Sequence, residues 1–543
     1  MRSWPVPVRC VWRSDVAWAA LGGVLGLVFL VSSWSWLAPV PLALLFREIP
    51  RRTPTDTFKL TWLFGAGFFA AHLLWLPSSL SGFLGPGAVI LSALLIALFM
   101  RLVDLSTVAT AMPAITRGLH ASLVGTMWVH TAYLLSYAIP LIISGRLGDR
   151  FGTRRIFVIG MLVFTFASLG SGLSINVGML IAFRVCQGLG SALMAPQSMT
   201  LITQLFPPQE RGRALGLWSA TSGAATLIGP ILGGVCIDHF GWHSIFFINL
   251  PIAAIGLWQT MHAMPRLPHT TTRIDWVGVA LSGIAMTLIV FGIQEGRTYH
   301  WGAIRGVISV PLLIGLGVVT MIVFLLWQGH LGRTAGQPLI PLRLFRQHNF
   351  CLGILAVAFV GTYVPAVTLV PTMYLQQARG LTPTKASLLL IPASLFSVLL
   401  SPVAGRVVQR RSSGRVGAFG TGAVATVCLL WLALMTDATP LWVFLLVTVL
   451  MGVGSAFVWP PISWTTSHDL AHEDAGAGSS VYNTTRQIGQ VIGSAIIATT
   501  LDWRTSAAPN LARGFGQSML VPMIGALIAF SATLFFNDYG RRT

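Results

Sequence analysis

From about residue 88 onward the chain is a succession of apolar runs broken by Gly, Pro and Arg. Each run is long enough for a transmembrane helix, which needs about 20 apolar residues. The pattern predicts fourteen spans, at 88–114, 123–144, 155–174, 178–203, 212–236, 244–264, 275–294, 307–327, 350–376, 384–405, 415–436, 440–465, 476–501 and 517–537. The connectors alternate in charge. The even-numbered ones and the C-terminal tail hold 17 arginines, against seven Arg or Lys in the odd-numbered ones. Because cytoplasmic loops carry the positive excess, this asymmetry predicts cytoplasmic even-numbered connectors and a cytoplasmic C-terminus.

Composition agrees with the pattern. Of 543 residues, 54% are apolar and 9% charged, against about 25% charged in a soluble domain, which excludes a soluble multidomain enzyme. The formal charge of +19 would on a soluble chain suggest nucleic acid. Here the cytoplasmic connectors absorb most of it, so no nucleic-acid partner is expected. The five cysteines, Cys10, Cys186, Cys236, Cys351 and Cys428, are far apart and lack C-x-x-C spacing. They predict neither a disulfide framework nor a metal site, and no cofactor is implied. The N-terminus lacks the short apolar region and small-residue cleavage site of a secretory signal.

An internal repeat sets the architecture. Gly145-Arg-Leu-Gly-Asp-Arg-Phe-Gly-Thr-Arg-Arg155 follows the second span, and a degraded echo, Gly405-Arg-Val-Val-Gln-Arg-Arg-Ser-Ser-Gly-Arg415, follows the tenth. Parallel six-helix repeats are a transporter plan. An offset of eight spans fits two six-helix halves, 88–264 and 346–543, separated by two additional helices within 265–345.

The first of these stretches is the strongest motif. Gly145, Gly148 and Gly152 allow close helix approach and positive φ. Asp149 is placed to cap the third span and complement its N-terminus. Arg150, Arg154 and Arg155 would contact lipid phosphates or partner carboxylates; a plain positive-inside anchor is the simpler alternative. On this motif the sequence resembles the major facilitator superfamily, and within it the fourteen-helix drug:proton antiporters. Four further stretches carry the likeness, which covers roughly residues 96–537. They are Asp104-Leu-Ser-Thr-Val-Ala-Thr-Ala-Met-Pro113, Arg184-Val-Cys-Gln-Gly-Leu-Gly190, Gly223-Ala-Ala-Thr-Leu-Ile-Gly-Pro-Ile-Leu-Gly-Gly234, and Trp242-His-Ser-Ile-Phe-Phe-Ile-Asn-Leu-Pro251. The third is similar to the family's antiporter signature.

Each stretch has its own chemistry. Gly229, Pro230, Gly233 and Gly234 give a smooth, kinkable face suited to an interface that rocks, or to static close packing. Arg184, with Gln187 one turn on, lies within an apolar run, where a charge is costly and marks function unless it snorkels to the helix end. Arg486, in Tyr482-Asn-Thr-Thr-Arg-Gln487, is a similar case and a candidate gate or binding charge in the second half. His130, Tyr133, Trp128 and the Met194–Met199 turn are candidate cavity-lining residues, or packing and interface-belt residues.

Asp104 is the one acid that the pattern places well inside a span. Burial disfavours the charged form of a carboxylate, which is what a proton-carrying group needs. Arg101 lies three residues earlier on the same helix face, and its guanidinium would favour the charged form instead. A proton carrier, a static Asp104–Arg101 pair and simple cavity polarity are the three readings.

Residues 1–87 stand apart. Ala17–Phe46 is a broken apolar stretch, and a further span runs from Leu60 to Leu76. Their order resembles the first membrane helices of apolipoprotein N-acyltransferase, without that family's soluble catalytic domain. Their topology conflicts with the downstream core, which points to a fusion joined near residues 90–101.

The expected fold is therefore an all-α polytopic membrane protein of the major facilitator type. The expected function is secondary export of amphipathic small molecules in exchange for protons, with export of a dedicated metabolite, peptide or lipid as the alternative. Acyl transfer, resting on the N-terminal segment alone, is the remote one. The partners are the bilayer, the substrate and protons, in the cell (inner) membrane; a periplasmic adaptor is left open.

Overall fold

The computed structural model describes Ala88–Asn537 apart from residues 207, 266–273, 335–337, 411, 469 and 471–474. Residues 1–87, for which a likeness to acyltransferase membrane helices is the expectation, lie outside the described residues.

Helices cover all fourteen apolar runs. The first five spans are Ala88–Gly118, Leu123–Phe151, Thr153–Gly172, Val177–Leu205 and Pro208–Phe240. The sixth is built from Ser244–Phe247 and Asn249–Ala263; the seventh and eighth are Trp276–Glu295 and Val310–Arg333. The ninth, His348–Met373, continues through a wider π turn at Tyr374–Ala378, and the tenth and eleventh are Pro383–Arg410 and Ser413–Leu434. The twelfth joins Leu441–Ala456 to Trp459–His468, the thirteenth is Ala475–Ala507, and the fourteenth joins Leu511–Ser518 to Leu520–Leu534.

Among the described residues, twelve of these helices are long and apolar enough to cross a membrane, or thirteen if the second span is taken as one. The thirteenth span falls outside that set, with polar residues toward both ends, Asn483–Gln487 and Asp502–Arg504. The only described strands are a two-stranded hairpin, Ala303–Arg305 with Ile308–Ser309, between the seventh and eighth spans.

Local chemistry sets the helix starts. Ser122, Asn176, Asp275, Ser309, Ser412 and Asn510 each accept a backbone N–H three residues on, satisfying donors that a helix leaves free in its first turn. Between the second and third spans the chain turns within a single residue, Gly152, at φ 96°. This corrects two expectations. The second span does not end at residue 144, because its helix runs on through the motif to Phe151. Nor does Asp149 cap the third span, whose first residue follows Gly152 with no side-chain cap.

Two apolar cores hold the halves. Met100, Phe157, Phe164, Ile202 and Ile252 pack in the first, and Val357, Tyr374, Trp431, Phe444 and Phe515 in the second. The additional pair is thinly covered, with Leu316, Val319, Ile322 and Leu326 exposed on the eighth span.

Contacts between the halves gather at the end away from the arginine-rich connectors. Gln376 Nε2 donates to Thr110 O at 3.0 Å, Thr131 Oγ1 and Ser494 Oγ share a bond of 2.8 Å, and Thr384 N donates to Asp238 Oδ2 at 3.0 Å. The fifth and tenth spans touch from Gly234 against Thr384 to Gly223 against Val398. One or two turns further on, a Cβ placed at Gly216 or Gly405 would meet nothing within 4 Å. The two helices diverge toward the arginine-rich end.

Candidate functional site

The first span carries Asp104 near the middle of its length, and the side chain is 1% exposed. A carboxylate so placed needs partners, because burying an unpaired charge is far more costly than burying a hydrogen-bonded one. Three spans supply them. From the fourth, Arg184 Nη1 donates to Asp104 Oδ2 at 2.6 Å and Gln187 Nε2 donates to Oδ1 at 2.8 Å. From the sixth, Asn249 Nδ2 donates to the same Oδ1 at 2.9 Å.

A second layer orients these donors. Arg184 Nη1 also reaches Gln187 Oε1 at 2.7 Å, its Nε donates to Val129 O at 3.1 Å, and its guanidinium lies 4.2 Å from the Tyr133 ring centroid. Asn249 Nδ2 shares Ser168 Oγ at 3.0 Å, which in turn donates to Phe246 O at 2.9 Å. Tyr133 Oη donates to Ser191 Oγ at 2.9 Å. The charge of Asp104 is thus held by one cation and two amide donors, while Arg184 Nη2 and Asn249 Oδ1 are buried without a hydrogen-bond partner.

Two sequence readings change. Arg184 does not snorkel, being 0% exposed and turned inward onto Asp104. Arg101 is not the partner of Asp104: its Nη1 donates to Tyr137 Oη at 3.0 Å and its guanidinium lies over that ring. The i, i+3 offset put the two on one face, but the phenol of the second span offered Arg101 an acceptor while Arg184 took the carboxylate. Trp128, a candidate cavity or packing residue, donates from Nε1 to Glu295 Oε1 of the seventh span at 2.6 Å.

His130 is buried beside this cluster with its Nδ1 lacking a hydrogen-bond partner. Met194 is core. Arg486 stands in the other half, its guanidinium 5.6 Å from the Trp459 ring centroid and its buried Nε without an acceptor. Asn249, Ser168 and Tyr137 were missed by residue-type reasoning. Asn249 was within reach as a polar residue in the Phe-Phe-Ile-Asn-Leu-Pro stretch.

The glycines divide by role. A Cβ at Gly229 would fall 1.9 Å from Ser106 Oγ and one at Gly233 3.0 Å from Thr107 Cα, so this face packs the fifth span onto the turn that follows Asp104. A Cβ at Gly234 would fall 2.7 Å from Thr384 Cα in the opposite half. Pro230 lies inside the helix.

In the motif at the end of the second span, a Cβ at Gly148 would strike Gln197 of the fourth span at 1.9 Å, whereas Gly145 faces open space and supports no close approach. Arg146 Nη2 donates to Pro338 O at 2.9 Å, Arg150 lies over the Phe151 ring, Arg154 donates to Met261 O, and Arg155 is exposed. For Arg150 and Arg154, expected with Arg155 to meet lipid phosphates or partner carboxylates, the contacts within the protein are a ring face and a backbone carbonyl. Among the described residues no three His, Cys, Asp or Glu side chains converge as a metal site would require.

Bundled helices around a buried charge network define a polytopic transporter architecture, and comparison places it. The sequence matches the Major Facilitator Superfamily over residues 94–494, and the chain belongs to that family. It is 32% identical to the tetracenomycin C resistance and export protein of Streptomyces glaucescens, over 78% of this chain and 77% of that one. It is also 32% identical to the multidrug export protein EmrB of Escherichia coli, over 75% and 78%. Among solved structures, a POT family transporter in complex with 5-aminolevulinic acid superposes with a TM-score of 0.63 at 15% identity, covering 85% of this chain and 99% of that one. At that identity the likeness shows the fold. The chain is a multi-pass membrane transporter of this superfamily, with relatives named for drug resistance and export.

Proposed function

We propose that the protein exports amphipathic small molecules across the cell membrane in exchange for protons, with its C-terminus and arginine-rich connectors in the cytoplasm. The carrying observation is the buried Asp104–Arg184–Gln187–Asn249 network. Protonating Asp104 removes the charge that three donors satisfy and leaves Arg184 uncompensated at membrane depth, where an unpaired cation is costly. Relief comes from moving the fourth span relative to the first. The first span is packed through Ser106 and Thr107 onto Gly229 and Gly233 of the fifth, and the next glycine, Gly234, abuts the opposite half. One helical turn therefore connects the proton site to the contact that joins the halves at one end. The Gly148–Gln197 approach and the Arg146–Pro338 bond support a gating role for the motif, at the mouth rather than at the substrate site.

The test is Asp104→Asn in reconstituted vesicles, which imitates the permanently protonated state. One pH unit across the membrane supplies about 1.4 kcal/mol per proton. The variant is expected to lose uphill, proton-driven export and keep downhill exchange. Concentration of substrate against its gradient at the wild-type rate would place the proton site elsewhere, with His130 next to test.

A further inference from the structure

We infer that the exported molecule carries an anionic group, held between Arg101 of the first half and Arg486 of the second. This rests on the export reading above and adds the substrate's charge to it.

The argument is a charge ledger at membrane depth. Among the described residues, the charged side chains well inside the spans are Asp104, Arg101, Arg184 and Arg486. Asp104 and Arg184 neutralise one another at 2.6 Å, and neither is exposed. The other described acids sit at helix ends, several already engaged: Asp238 with Thr384, Asp275 with Gly278, Glu295 with Trp128, Asp437 with Asn510 and Asp502 with Arg297. Two guanidiniums are left without a carboxylate. Arg101 has a phenol oxygen and a ring face, and Arg486 has the Trp459 face and an Nε with no acceptor. Both are half-buried, and cations at this depth face the bundle interior or a watery cavity rather than lipid.

Arg101 lies within Ala88–Gly118 and Arg486 within Ala475–Ala507. Both odd-numbered spans start at the arginine-rich end. A carboxylate, sulfonate or phosphate accepts hydrogen bonds from a guanidinium in a bidentate fork, and Tyr137 and Trp459 offer faces to an apolar body. A cation beside either arginine would meet a like charge and no free carboxylate. An anion touching one arginine from each half also gains differently in the two states of a rocking transporter, as a ligand must if it is to shift their balance.

The experiment uses the full-length protein in proteoliposomes, with carboxyfluorescein, anilinonaphthalene sulfonate and taurocholate set against ethidium and tetraphenylphosphonium. The anions are expected to bind and be exported. Arg101→Gln and Arg486→Gln should each weaken anion binding about tenfold, the size of one lost charge-assisted hydrogen bond. The Lys replacements should restore much of it, and they keep the test valid where a Gln variant is poorly folded. Export of the cations with none of the anions would overturn the inference while leaving the export reading intact, as would anion binding unchanged in both Gln variants. Movement of neither class would count against the export reading itself.

Discussion

Asp104 and Arg184 stand out in the sequence for the same reason, a charge inside an apolar run, yet their union is not written there. They are 80 residues apart, and Asn249 is 145 from Asp104. Local spacing instead offered Arg101, which the second span's Tyr137 draws away. Because the pair is fully buried, removing one member leaves an uncompensated charge, at a cost of about 3 to 5 kcal/mol. Arg184→Leu is therefore expected to lower the thermal stability of the purified protein markedly, and adding Asp104→Asn to it should recover part of the loss. A double variant no more stable than Arg184→Leu would mean that the two side chains are not energetically coupled. Gln187 and Asn249 each contribute a charge-assisted bond, which makes them positioning residues for the carboxylate.

The fifth span shows how one helix serves two neighbours. Gly229 and Gly233 are four residues apart and share the face against the first span, while Gly223 and Gly234 face the tenth. Their abundance was legible as a packing surface; which glycine meets which helix was not. Gly234→Ala would drive a Cβ into the Thr384 backbone, which cannot swing aside as a side chain end can. The expected result is separation of the halves at their closed end, seen as a longer spin-label distance between the fifth and tenth spans, with slowed transport. An unchanged distance would show that this contact does not hold the end shut. The seventh span behaves as a tie across the same end. Its Glu295 accepts from Trp128 of the first half, and its Ile293 O accepts from Thr499 of the second at 2.7 Å. Arg297 just beyond it pairs with Asp502 at 3.0 Å. The additional helices are thus bonded into both halves at one edge of the bundle.

At the scale of the molecule, the halves meet at one end and part at the other, and the orientation proposed from the connector charges would turn the open end to the cytoplasm. Cysteines placed at Gly216 and Gly405, where a Cβ meets nothing, should react with a membrane-impermeant maleimide from the cytoplasmic face. A cysteine at Gly223, packed on Val398, should react far more slowly. Labelling of the first two from the opposite face would reverse the orientation.

The sequence by itself determined the class of fold, the number of helical runs and the residues whose chemistry is out of place in a membrane. These are consequences of composition and of the span length a bilayer demands, both readable one segment at a time. Even the six-plus-two-plus-six arrangement was readable as a repeat, Gly145–Arg155 with its echo at Gly405–Arg415. What only the tertiary structure decided is partnership. Arg184 rather than Arg101 meets Asp104, the second helix continues through the motif to a turn at Gly152, and the fifth span joins the first to the tenth. Periodicity gives a helix its faces; the neighbour across each face comes from how distant helices pack, which no local pattern specifies.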